Sequence, residues 1–106
     1  MQDTQTTFRA LADPTRRGIL HLLMGQEMTI GAVAERFDMT RPAIKKHLSV
    51  LEAGELITIT PRGRERLNSI NPEGFRAVQS WLDLFESFWD DRLAALKTAI
   101  EKDQTQ

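Results

Sequence analysis

No cysteine occurs among the 106 residues, which removes disulfides, thiolate metal sites and cysteine nucleophiles together. No apolar run approaches the roughly 18 consecutive residues that a membrane-spanning helix needs, so bilayer insertion is not expected. The opening MQDTQTTF is polar and lacks the charged-then-apolar layout of a secretory signal, and a cytoplasmic location is the expectation. No serine or acid has a paired base at a workable spacing, and no glycine loop precedes a helix in the phosphate-binding manner. Catalysis therefore has no support, and no cofactor is expected. Histidine is scarce. His21 lies among Ile19, Leu20, Leu22 and Leu23 and reads as a helix residue at the margin of the core. His47 sits at the edge of an apolar face, where it can belong to the core or reach a phosphate backbone.

Excess charge of either sign is also lacking, with a formal net charge of −1. The distribution is not even. Arg36 to Arg66 holds seven basic residues against four acidic ones, and Asn71 to Gln106 holds four basic against seven acidic. A basic middle and an acidic end suit a molecule that turns one face to a polyanion and another away from it.

The basic middle contains the pattern that organises the rest. In TIGAVAERFDMTRPAIKKHLSVL, Ile30, Val33, Ala34 and Phe37 recur at helical spacing. A break follows at Asp38-Met39-Thr40. Ile44, Leu48 and Leu51 then share one face of a second helix, with Thr40 as N-cap and Pro42 inside the first turn, where proline is tolerated. Two short helices split by three or four residues form a helix-turn-helix, whose second helix enters the DNA major groove. Arg41, Pro42, Lys45, Lys46 and Ser49 fall opposite the apolar face, where cations suit phosphate and base contacts. An ordinary solvated basic face is the competing account.

The flanks extend the pattern. Met1 to Gln5 reads as a frayed terminus, and Thr6 to Ala12 as a short helix with Phe8 and Leu11 on one side. Asp13-Pro14 starts a core helix that stops near Gly25. Arg16 and Arg17 occupy its first turn, where the helix dipole disfavours cations; they either contact phosphate or pair elsewhere. After the second helix of the pair, Gly54 is expected as a left-handed cap. LITIT (56–60), the turn Pro61-Arg62-Gly63-Arg64 and ERLNSI (65–70) read as a β-hairpin with a basic tip. Arg62 and Arg64 can reach the backbone or minor groove there, or serve only solubility.

Asn71-Pro72-Glu73 begins a helix expected to run to about Lys102. Its stripe of Val78, Trp81, Leu82, Phe85, Phe88, Trp89, Leu93, Leu96 and Ile100 is too long to pack on one small domain, and an apolar face of that kind marks an interface. A second copy about a two-fold axis is the simplest partner, with Phe8, Leu11, Trp81, Phe85, Phe88, Trp89, Leu93 and Leu96 in the contact. The expectation is one domain over 1–106, with about 6–72 as DNA-binding core and 72–102 as dimerisation helix.

In this order the pieces resemble the ArsR-type winged helix-turn-helix repressors of bacteria and archaea. LADPTRRGILHLL, TIGAVAERFDMTRPAIKKHLSVLEAGELI and RGRERLNSINPE carry the resemblance, which spans about Phe8 to Ile100. It implies a mainly α fold with a small β-hairpin wing and a homodimer joined by the first and last helices. It also implies double-stranded operator DNA with an imperfect palindrome, released when an effector shifts the dimer. Carried over position by position, the recognition residues are Thr40, Arg41, Pro42, Lys45, Lys46 and His47, and the wing residues Arg62 and Arg64. Metal-sensing members carry thiolates just before and at the start of the first helix of the pair. Glu27-Met28-Thr29-Ile30-Gly31 has none here, and the last helix has no histidine. Asp83, Glu86, Asp90 and Asp91 read as solvated carboxylates. The resemblance is therefore to metal-independent members, with no metal ligands and an unidentified effector. The rival from another class is a winged-helix interaction module that has given up DNA. A small-ligand pocket among Trp81, Phe85 and Trp89 is compatible with the repressor reading.

Overall fold

The computed structural model describes residues 4–104. Their order is α1 (Thr4–Leu11), α2 (Pro14–Leu23), β1 (Met28–Thr29), α3 (Ile30–Phe37), α4 (Arg41–Ala53), β2 (Ile57–Arg62), β3 (Glu65–Ile70) and α5 (Pro72–Gln104). Helix α1 starts earlier than expected and takes in Thr4 and Gln5; the remainder of the stretch expected to fray, Met1 to Asp3, lies outside the described residues.

Short polar side chains fix where the helices begin. Asp13 Oδ2 accepts from Arg16 N at 3.0 Å, Thr29 Oγ1 from Ala32 N at 3.2 Å and Thr40 Oγ1 from Ala43 N at 3.3 Å. Each satisfies a backbone donor that has no partner inside its own helix. Before α5, Asn71 Oδ1 accepts from Glu73 N at 3.0 Å. Asp38 in the left-handed conformation (φ 51°) ends α3 and turns the chain into α4.

The end of α4 differs from the expectation. Gly54 is not left-handed (φ −82°); Glu55 is, at φ 58°. Gly54 is needed for space instead. A Cβ there would lie 3.2 Å from both Thr7 Cα and Ala10 Cβ, because α1 crosses at this point. Thr7 Oγ1 donates to the Gly54 carbonyl at 2.9 Å, so the crossing is hydrogen-bonded as well as close. Gly74 at the start of α5 approaches the same corner, and its N–H donates to Glu55 O at 2.7 Å.

The expected hairpin gains a third strand. The order is β1-β3-β2, all antiparallel, with Met28 opposite Asn68 and Ile59 also opposite Asn68 on the other side. Strand β2 extends through Pro61 to Arg62, so the turn is tighter than expected and rests on Gly63 at φ +63°. Pro61 is tolerated because β2 is an edge strand. Ile19, Leu23, Val33, Ile44, Leu48, Leu51, Leu56 and Ile57 form the centre of the core between α2, α3, α4 and the sheet.

Helix α5 leaves this body. At ~1.5 Å per residue its 33 residues run about 50 Å. The chain measures 73 × 32 × 20 Å with a radius of gyration of 19.9 Å. A compact chain of this length has about 13 Å, and the excess is the projecting helix.

Candidate nucleic-acid interface

Helix α4 keeps Ile44, Leu48 and Leu51 inward and leaves Thr40, Arg41, Pro42, Lys45, Lys46 and Ser49 exposed. The division follows from 3.6-residue periodicity, and it holds the cations in water without desolvation. The wing folds back beside this face. A cleft of about 400 Å³ between α4, the start of α3 and the sheet is lined by Arg41, Lys45, Ser49, Arg64 and Arg66, with Ile30, Leu48 and Ile59 on its apolar walls. Three residues expected to act together from distant parts of the sequence, Arg41, Lys45 and Arg64, are thus neighbours in space.

Arg66 was not singled out by the sequence reading. Its signal was the period-two alternation of β3, which puts Arg66 on the side of Asn68, the side that faces α4. Arg62, paired opposite Glu65 at the end of the hairpin, does not line the cleft. Thr40 spends its oxygen lone pair on Ala43 N, but its hydroxyl proton stays free to donate. Glu52 and Glu65 also border the cleft and limit how far its cationic character extends.

His47 takes a different place from the exposed cations. It is half-buried, with Nδ1 3.9 Å from Asp13 Oδ2 and 3.5 Å from Arg16 Nη1. It therefore joins the recognition helix to the start of α2. The Asp13 carboxyl is held below its ordinary value, chiefly by the Arg16 backbone N–H that it accepts, with the Arg16 and His47 charges adding to the effect. His21, expected at the core margin, is exposed.

Arg16 and Arg17 resolve the puzzle of cations in a first helical turn by reaching backwards. Arg16 Nε donates to Ala10 O at 2.7 Å and Nη2 to Arg9 O at 2.8 Å, and Arg17 Nη1 donates to Leu11 O at 2.8 Å. They cap the negative end of α1.

The cationic cleft, the two capped helices and the adjoining wing make a winged helix-turn-helix, and comparison with known proteins agrees. A helix-turn-helix domain model matches residues 11–60. The transcriptional repressor SdpR of Bacillus subtilis (strain 168) is 37% identical over 86 residues, spanning 81% of this chain and 96% of that protein. The crystal structure of an ArsR family transcriptional regulator superposes with a TM-score of 0.75 at 36% identity, covering 85% of this chain and 97% of its own. The chain belongs to the ArsR family. As an ArsR-family member it is a DNA-binding transcriptional regulator and not an enzyme. The HTH-type transcriptional regulator Rv2034 of Mycobacterium tuberculosis is a further relative, 32% identical over 96 residues that span 91% of this chain and 87% of that one.

A second surface of this ArsR-family chain lies on α5. Phe8 on α1 meets Trp81 edge to face at 5.4 Å, and Trp81 continues to Phe85 at 4.9 Å. Phe88 and Trp89 pack at 5.4 Å, and the Arg92 guanidinium lies 5.1 Å over the Phe88 ring. Beyond Trp81 every apolar side chain is exposed, including Trp89 at 59% and Leu93 at 61%. Leu11, expected in the same surface, is partly buried against the core instead. No helix among the described residues is long and apolar enough to cross a membrane.

Proposed function

We propose that this regulator acts as a homodimeric repressor on a palindromic operator. The observation that carries the reading is the single cleft that gathers Arg41, Lys45 and Arg64 between recognition helix and wing. In the proposed complex α4 enters the major groove. Arg41 reads a guanine, Lys45 and Lys46 hold phosphates, Thr40 donates to the backbone and Pro42 packs on the groove wall. Arg64, with Arg66, follows the backbone from the wing; Arg62 contacts the flanking phosphates from the end of the hairpin. His47 acts at one remove, by fixing α4 on α2.

Two copies supply the two half-sites. The exposed row from Trp81 to Ile100 is apolar, lies on one helix and continues from the Phe8–Trp81 contact, so a second α5 covers it with like chemistry. Helix α1 then belongs to both jobs, since it packs on α5 and on the end of α4 through Gly54. In domain terms, about 6–72 carries DNA and 72–102 carries the partner copy.

The effector is proposed not to be a thiophilic metal. The chain has no thiol, and the stretch Glu27 to Gly31 where metal-sensing members keep theirs is spent on β1 and the α3 cap. His47 is occupied with Asp13 and Arg16.

Footprinting on the DNA upstream of the gene tests the reading. Two protected half-sites centred one helical turn apart, about 10–10.5 bp or 34–36 Å, are expected. Protection of a single half-site would remove the paired copies on a palindrome, and no protection at any protein concentration below precipitation favours an interaction module that does not use DNA.

A further inference from the structure

The start of α3 poses a problem that the functional reading does not absorb. Gly31 occupies the first turn of an eight-residue helix. Glycine is the poorest helix former after proline, and nothing in the backbone here demands it, since Gly31 is not among the positive-φ residues. Space explains it. A Cβ at position 31 would lie 2.6 Å from Arg41 Nη2, 3.1 Å from Cζ and 3.4 Å from Nε. All three nearest atoms belong to one guanidinium. The bare glycine is a berth for the Arg41 side chain.

That berth is not one an arginine fills for electrostatic comfort. The N-terminal end of a helix carries partial positive charge, which repels a guanidinium. Among the described residues no carboxylate forms an ion pair with Arg41. Gly31 and Arg41 both border the cleft under the wing, and both also border a shallower depression that runs past Glu35, Asp38 and Met39 on the other side. Where the guanidinium rests decides which of the two it serves.

We infer that Gly31 is a positioning residue for Arg41, leaving the room in which the guanidinium is pre-set at the mouth of the recognition cleft. The inference rests on the proposed role of Arg41 as the base-reading side chain. A side chain that arrives at the groove already oriented loses less rotamer freedom on binding and can meet a guanine with both nitrogens of its fork. Any side chain at position 31 displaces the tip of Arg41 rather than the backbone, so the fold survives the substitution while the aim does not.

The test compares Gly31→Ala, Arg41→Ala and the double variant for binding to the footprinted duplex and to duplexes with each protected guanine replaced. Loss of a bidentate guanine contact costs about 5- to 150-fold in discrimination. Gly31→Ala is expected to melt no lower than wild type and to lose discrimination at the same guanine as Arg41→Ala. The double variant is expected to match Arg41→Ala alone. Full discrimination in Gly31→Ala, or losses that multiply in the double variant, overturns the inference while leaving Arg41 as reader. If Arg41→Ala itself discriminates like wild type, the assignment of Arg41 fails, and the positioning role fails with it. Nitrogen relaxation at Arg41 Nε in the unbound wild type gives an answer that needs no variant: restricted motion is expected, and a freely rotating guanidinium overturns the inference.

Discussion

Arg16 Nε donates to the Ala10 carbonyl at 2.7 Å, across the bend between α1 and α2. The same guanidinium reaches Arg9 O at 2.8 Å and stands 3.5 Å from His47 Nδ1. One side chain therefore ties the end of α1 to the start of α2 and to the recognition helix. Replacing Arg16 with Met keeps the stem and removes the donors. A loss of about 1–2 kcal/mol is expected in urea denaturation, in the range for partly solvated bonds from a charged donor. Arg16→Lys is expected to recover less than half of it, because an ammonium cannot span two carbonyls as a planar fork does. Equal stability of Arg16→Met and wild type would show that the bend holds itself.

The corner where α1, the end of α4 and the start of α5 meet has no spare room. A Cβ on Gly74 would lie 2.6 Å from Glu55 O and 2.7 Å from Gly54 O, both backbone atoms that cannot step aside. Gly74→Ala is expected to destabilise by about 2–3 kcal/mol, and Gly54→Ala, with its nearest contacts at 3.2 Å, by less. Glu55→Gly relieves a left-handed residue that is exposed and is expected to gain up to about 1 kcal/mol. Chemical denaturation of the three variants checks the ranking, and a stabilised Gly74→Ala would contradict the packing described.

This corner also shows what a sequence can and cannot convey. The caps at Asp13, Thr40 and Asn71 are local, so three side chains and their spacing are enough to place those helix starts; the Thr29 cap of α3 is equally local but is not among the expected ones. The inward faces of α3 and α4 were legible for the same reason. From the helix end alone, Gly54 is the expected left-handed cap. What decides the matter is α1, 47 residues away through the Thr7 bond, which takes the space and passes the turn to Glu55. Strand β1 is two residues long and exists because β3 offers it an edge, a partner that no local pattern announces. His47 and Arg66 belong to the same class: their neighbours Asp13, Arg16 and Arg41 lie on other elements. The aromatic row of α5 was legible as too much apolar surface for one small body, and most of that row is exposed.

The Asp13 carboxyl gives a pH dependence with a definite sign. Its folded value lies below the ordinary 3.8, so the folded state favours the charged form. The stabilisation is complete above the ordinary value and is lost as pH falls through the lowered one. Wild type is expected to exceed Asp13→Asn in stability at pH 7, with a smaller gap at pH 3. Urea midpoints at the two pH values check this, and a gap that widens on acidification would reverse the assignment.

Helix α5 carries the proposed contact between copies. Trp89→Glu places a charge in the middle of the exposed apolar row without touching the core. Sedimentation is expected to show monomers that keep the wild-type helical content and lose operator binding. A wild type that sediments as a monomer at micromolar concentration would remove the dimer from the account.

The most direct test of the cationic cleft is the salt dependence of DNA binding. Fluorescence anisotropy with the footprinted duplex at several salt concentrations gives the slope of log K against log salt for wild type, Lys45→Ala and Arg64→Ala. Each variant is expected to bind more weakly with a slope smaller by about one, the signature of one lost phosphate contact. Slopes identical to wild type in both variants would mean that DNA does not lie against the recognition helix and wing.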